Sequence, residues 1–262
     1  MDTHAAAPIE PGRGRWRPSW LVPTLLRPRE TFRRIADSPV PVWLTPIILL
    51  TASAILLAVA AGPIKQAAAA NAQVDLPPGF EYYTPEQQAQ FYQAQSAANS
   101  PTFVYILPAG LAAIKVWAGW LLLSGALHLV VTILGGRSSF PTLLNLSAWA
   151  GLPFALRDFV RIAYMLLSRK LILAAGLSGL LSADPSGMQA FLAELLKPVD
   201  VYLLWHVGLL IVALRAADSL TARRVWAGVV LTQTVLLLLQ ALPPYALGRL
   251  GSLTIMRPYF VF

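Results

Sequence analysis

The chain has no cysteine. Disulfide staples, thiol nucleophiles and thiolate metal sites are therefore excluded, while nothing follows about compartment. Charge is nearly as scarce. Only 12% of the 262 residues are Asp, Glu, Lys or Arg, about half the usual share for a soluble domain. Acids are the scarcer sign, 12 against 20 Lys and Arg, which leaves a net charge of +8. The zinc-protease string H-E-x-x-H, the phosphate-binding G-x-x-x-x-G-K and any metal-ligand cluster are also missing. No cofactor is expected.

What the sequence has in quantity is apolar: 56% of residues are hydrophobic, gathered in long runs. A helix of about 20 apolar residues crosses the hydrocarbon core of a bilayer. The expected fold is an all-α, polytopic membrane bundle. It has five transmembrane helices, at about 42–61, 103–134, 141–167, 199–216 and 225–242, with amphipathic helices at the interface or outside. Residues 1–20 read as a disordered basic tail, 21–243 as the membrane domain and 244–262 as a short outer tail, with Pro243-Pro244 ending the last span. A cleavable signal peptide needs an early apolar core, but the first run begins only near Val42. Ala58-Val59-Ala60 resembles a cleavage site, yet alanine runs are common in spans, so the segment is expected to stay as the first span. The arginines gather in short connectors rather than over a soluble domain, which fits a membrane orientation signal and argues against nucleic acid as a partner.

Local signals subdivide the chain. In LLRPRETFRRIADSP, Pro28 suits a first helical turn and Pro39 a stop. Leu25, Phe32 and Ile35 share one side, leaving Arg29, Arg33 and Arg34 for anionic lipid phosphates: an interfacial helix by pattern, or else a solvated basic linker. TPEQQAQFYQAQSAAN opens with a capping box, Thr84 and Gln87 around Pro85. After the turn at Gly135-Gly136, Ser138 and Ser139 are candidate caps for a helix with Pro141 in its first turn. LILAAGLSGLLSA is too short to span and is expected to lie at the interface or re-enter. A further helix is expected to start at Asp184-Pro185 and stop at Lys197-Pro198, with a stripe of Met188, Phe191, Leu192, Leu195 and Leu196. With the N-terminus inside, inner segments hold eleven Lys and Arg and outer segments six, which predicts N-in and C-out.

Three stretches carry a family resemblance: LLRPRETFRRIADSPVPVWLTPIILL, LGGRSSFPTLLNLSAWAGLPFAL and DVYLLWHVGLLIVALRAADSLTARRVWAGVV. In order and spacing they resemble the Yip-type domain of the Ypt/Rab-interacting membrane proteins, bacterial branch, over roughly residues 21–243, with Ala213 where the family often has Gly. The resemblance implies five spans, a cytoplasmic N-terminus and no catalytic activity. It suggests an integral membrane scaffold or membrane-organising partner, in contact with the bilayer and other membrane proteins, in a bacterial plasma membrane. Eukaryotic members are linked to Rab GTPases, a link not carried over to this chain.

Charges inside apolar runs are the candidate site. Arg157 lies sixteen residues beyond Pro141, about 24 Å along a helix and thus in its outer third. Antiparallel counting puts Lys115 at a similar level, with Asp158, Arg161 and His206. A polar level of this kind is either a pocket for an anionic headgroup or small anion, serving transport or lipid handling, or an interface where arginines snorkel to headgroups. Gly176-Leu177-Ser178-Gly179 with His206 resembles the serine and base of intramembrane proteases, but the short run offers no spanning helix to hold the serine. His128, Asn145, Ser147, Thr232 and Gln233 are expected to hydrogen-bond between helices.

Overall fold

The computed structural model describes residues 15–71, 79–172, 174–181 and 186–255. The start at Asp184-Pro185 and most of the N-terminal tail fall outside these residues. Ten α-helices are described: α1 (Leu21–Leu26), α2 (Pro28–Ala36), α3 (Leu44–Asn71), α4 (Pro85–Ala98), α5 (Leu107–Ile133), α6 (Phe140–Ala150), α7 (Leu152–Ser168), α8 (Met188–Leu196), α9 (Val201–Ala217) and α10 (Ala222–Ile255). There is no strand among the described residues.

Three helices are long and apolar enough to cross a membrane: Leu44–Ala68, Thr102–Ile133 and Ala222–Arg249. The count rises to four if α8 and α9, bent by 60° at their junction, form one broken span. Five uninterrupted spans are therefore not found among the described residues. The expected third span is two helices, α6 and α7, because Pro153 has no N–H to offer the carbonyl of Trp149. Between 22% and 28% of each long window is buried. Leu56, Leu111, Leu122, Leu129 and Leu239 all face outward, the reverse of a soluble bundle and the arrangement lipid favours.

The expected stop at Pro243-Pro244 did not stop its helix, and a third proline is also carried within a helix. α3 continues through Pro63, and α10 continues through Pro243 and Pro244. Two prolines remove the N–H groups that would bond Leu239 and Gln240, but their fixed φ is helical, and a tertiary contact holds the continuation: Tyr245 packs edge-on against Phe191 of α8, with centroids 5.5 Å apart. The stripe expected on α8 is only partly covered, since Met188 and Leu192 remain exposed and Ala193 is the buried residue. Local caps behave as read. Thr84 and Gln87 form the capping box of α4, and Ser139 caps α6.

α6 is the centre. From Leu143 to Ala150 it is buried except for Leu144, and its polar side chains bind the elements around it. Asn145 Oδ1 accepts from the Val42 N–H at 2.9 Å, and Trp149 Nε1 donates to the Val42 carbonyl at 3.1 Å. The Ser147 and Ser124 hydroxyls meet at 2.6 Å, and Trp120 of α5 donates to Leu144. The core around α6 draws Phe32 and Ile35 from α2, Leu127 from α5, Leu210 and Leu214 from α9 and Val229 from α10. So α2 does not lay its apolar side on lipid. Phe32 and Ile35 are fully buried in protein, because α9 and α6 offer an apolar surface closer than the bilayer does. Part of the expected tail is tied down too: the Arg17 N–H donates to Thr45 at 2.7 Å.

At the end of the bundle where α9 finishes, two turns are locked together. α5 closes with Gly135 at φ +86, its N–H bonded to Thr132 and that of Gly136 to Val131, the paired closure of a Schellman motif. A Cβ on Gly136 would lie 2.5 Å from Val131 Cγ1 and 2.7 Å from Asp218 Oδ2, so only glycine fits. That same Asp218 oxygen accepts from the N–H groups of Arg137 and Ser138 and from the Ser138 hydroxyl, at 2.8, 3.0 and 2.8 Å. Burial alone would raise the Asp218 pKa, but these hydrogen bonds outweigh it and hold the carboxyl below its usual value. Asp218→Ala is expected to lower thermal stability in detergent by about 1 kcal/mol, the ordinary net value of such bonds, and Asp218→Asn by less. Because the folded pKa is the lower one, the clamp contributes fully above the unfolded carboxyl value of about 3.9 and is lost as pH falls through the folded value. Wild-type melts should therefore show an acid-dependent drop that Asp218→Asn lacks.

Candidate functional site

Charges enter the bundle at the other end, where α9 begins. α7 turns Leu156, Phe159 and Val160 outward and Asp158 inward, where it is 6% exposed. Asp158 Oδ2 lies 3.0 Å from the buried Ser53 hydroxyl of α3. Its other oxygen is 3.8 Å from Arg157 Nε. Arg157 reaches on to Asp200 at 3.6 Å, and Arg161 reaches the same carboxylate oxygen at 3.4 Å. Asp200 also caps α9, accepting from the Leu203 N–H at 2.9 Å. The four side chains are between 9% and 23% exposed. Two carboxylates thus face two guanidiniums, and the group is neutral as a whole.

His206 joins through aromatic contacts rather than ion pairs. The Arg157 guanidinium sits 4.7 Å over the Phe154 ring, and that ring lies 4.7 Å from the imidazole. His206 Nδ1 is 2.8 Å from the carbonyl of Ala150. A carbonyl only accepts, so Nδ1 carries the proton. The geometry explains why this carbonyl is free. In an unbroken helix it would take the N–H of Phe154, but at the break that N–H bonds Gly151 instead. His206 fills the vacancy left by the α6–α7 break.

The structure brings Arg157, Asp158, Arg161 and His206 together. Lys115 stands exposed on α5 and makes no ion pair among the described residues. Asp158 is not the only acid at this level. Asp200 was missed because it lies at the junction of two segments, although an aspartate just before an apolar run is an N-cap signal. Ser53 gave no signal, being one serine in an apolar helix. On α2, Arg34 pairs with Glu30 at 2.5 Å, while Arg29 and Arg33 turn to a groove against α9.

Among the described residues, the serine and histidine of the protease-like string bond elsewhere. Ser178 donates to the carbonyl of Ala175 at 2.6 Å, and the recorded contacts of His206 are to Ala150 and Phe154. Among the described residues no group of three His, Asp or Glu is placed to hold a metal. Asn145 and Ser147 do bridge helices, whereas His128 Nδ1, Thr232 Oγ1 and Gln233 Oε1 are buried with no hydrogen-bond partner among the described residues.

Long helices with apolar surface outward, and charges paired within, define a multi-pass membrane protein of the all-α class. The family model of the Yip1 domain matches residues 23–242, and the chain belongs to that family. The match begins within α1 and ends within α10, so the buried centre and the charged group both lie inside it. No curated protein and no solved structure matches the chain.

Asp158→Asn should destabilise the protein by about 3–5 kcal/mol, the cost of leaving a buried partner uncompensated. Adding Arg157→Met should recover part of the loss, with a coupling energy of about 0.5–3 kcal/mol. Lys115→Met removes no ion pair and should melt close to wild type. Thermal melts of wild type, Asp158→Asn, Arg157→Met and their double variant in one detergent test the cycle, and an uncoupled double variant would contradict the pairing.

Proposed function

We propose that this Yip1-family protein is a non-enzymatic integral membrane scaffold, organising the bilayer and other membrane proteins around it. The observation that carries this reading is that the charged group is paired within itself. Each carboxylate of the group is held by an arginine, and the imidazole holds a backbone carbonyl. Apart from Arg157 Nε, which is buried without a hydrogen-bond partner among the described residues, the charges of the group are met within it, which weighs against transport. Reconstituted into liposomes, the full chain should raise neither ion leak nor lipid transfer above that of protein-free vesicles. Crosslinking in native membranes should recover a reproducible set of membrane proteins. Flux or lipid transfer that Arg157→Met abolishes would overturn the scaffold reading.

The proposed placement is a bacterial plasma membrane, crossed five times by α3, α5, the broken pairs α6–α7 and α8–α9, and α10. The N-terminus is cytoplasmic, the C-terminus is outside and the charged group lies toward the outer face. Support comes from where the basic segments gather. The Arg137 turn is bonded to Asp218, Arg224 donates to the carbonyl of Leu134, and Arg29, Arg33 and Arg215 border one groove. The segments counted as inner thus share one end of the bundle, as the positive-inside rule asks. A cysteine at Gln90, in α4, should react with an impermeant thiol reagent on intact cells. One at Ser219, between α9 and α10, should react only after permeabilisation. The opposite pattern would reverse the orientation.

A further inference from the structure

Arg29 and Arg33 lie four residues apart on one side of α2, so they project together. Across from them, Gly208, Ile211 and Arg215 fall at i, i+3 and i+7 on one side of α9. With Trp226 of α10 these residues line an open cavity of about 390 Å³, within the range of about 300–1,000 Å³ usual for small-ligand sites. Arginines converge from two elements at its rim, and among the described residues none of the three forms an ion pair. Of the nearby acids, Glu30 holds Arg34 and Asp218 holds the Arg137–Ser138 turn, while Asp37, one turn after Arg33, pairs with none of the three among the described residues. Below the rim the lining is apolar.

The depth of the groove is a property of Gly208. A Cβ placed there would meet nothing within 4 Å, so the glycine leaves open space over α9 rather than close packing. It lies seven residues from Arg215, about 10 Å along the helix. Trp226 is one turn inside the start of a candidate span and 55% exposed, the level where tryptophans border headgroups. A ligand that suits cations at the mouth and apolar walls beneath, at that level, is amphipathic and anionic.

We propose that this groove binds the phosphate of an anionic phospholipid, held by Arg29, Arg33 and Arg215, with the glycerol and upper acyl chain lying over Gly208 beside Ile211 and Trp226. Guanidinium groups suit phosphate through paired N–H donors. The site rests on the reading of the chain as membrane-embedded, but not on its direction in the membrane or on the scaffold role. Arg34 is not part of it.

The test uses the full chain in a neutral detergent, titrated with phosphatidic acid, phosphatidylcholine or inorganic phosphate and read by thermal melting and by native mass spectrometry of bound lipid. Phosphatidic acid should raise the melting temperature by several degrees and remain bound, while the other two should do neither. The shift and the bound lipid should disappear in Arg33→Gln/Arg215→Gln, and also in Gly208→Leu, which keeps every arginine but fills the groove. They should persist in Arg34→Gln, which removes equal surface charge elsewhere. If Gly208→Leu fails to fold, the arginine variant still decides. Retention of the full shift in Arg33→Gln/Arg215→Gln, or an equal shift with phosphatidylcholine, overturns the site. An equal shift with inorganic phosphate assigns the groove to a free anion and overturns the lipid. A flux result against the scaffold role would leave these readouts unaffected.

Discussion

The peptide groups of Val42 are the constraint around which the bundle is arranged. The chain passes through this point between α2 and α3 without helical hydrogen bonds, in the core and fully buried. A backbone polar group left unpaired away from water costs several kcal/mol. Asn145 and Trp149 supply an acceptor and a donor from adjacent turns of α6. Each bond is directional, so α6 is fixed in rotation as well as position. Its buried Ser147 then faces Ser124 of α5. The N-terminal segment is thereby part of the core: α2 packs its phenylalanine and isoleucine against the surface that α6 and α9 complete.

A second consequence follows from the end of the same helix. The break between α6 and α7 frees a carbonyl, and a histidine from α9 takes it. The break also redirects α7, which brings Asp158 under Ser53 of α3 and its arginines to the start of α9. The Asp200 carboxylate serves two purposes there, capping α9 and receiving both guanidiniums. Charge thus joins α7 to the start of α9, with α3 held through Ser53, and uncharged polar groups join α6 to α5 and α9 at the centre.

What could be read from the sequence was what depends on near neighbours. The capping box at Thr84, the serine cap at Ser139 and the stop at Lys197-Pro198 are local chemistry, and they stand out in any context. Arg157, Asp158 and Arg161 stood out because charge inside an apolar run is expensive and cannot be there by default. Features set by tertiary contact were not legible. The amphipathic pattern of α2 fits a lipid surface and a protein core equally well, and only the presence of α9 decides. Pro243-Pro244 is a breaker by propensity, overridden by packing on α8. Gly151-Leu152-Pro153 did carry a sign of the break, but the surrounding run is so apolar that length dominated the reading. The role of His206 depends on that break, so it was legible only as a polar residue at the right level.

The charged group also has an electrical meaning. With both carboxylates ionised, Asp158, Asp200, Arg157 and Arg161 sum to zero within one cluster. A membrane potential does work only on net charge displaced through it, about 2.3 kcal/mol per elementary charge per 100 mV. A rearrangement that carries the four as a unit moves no net charge. The group therefore ties helices together within the field of an energised membrane while giving that field no lever on their position.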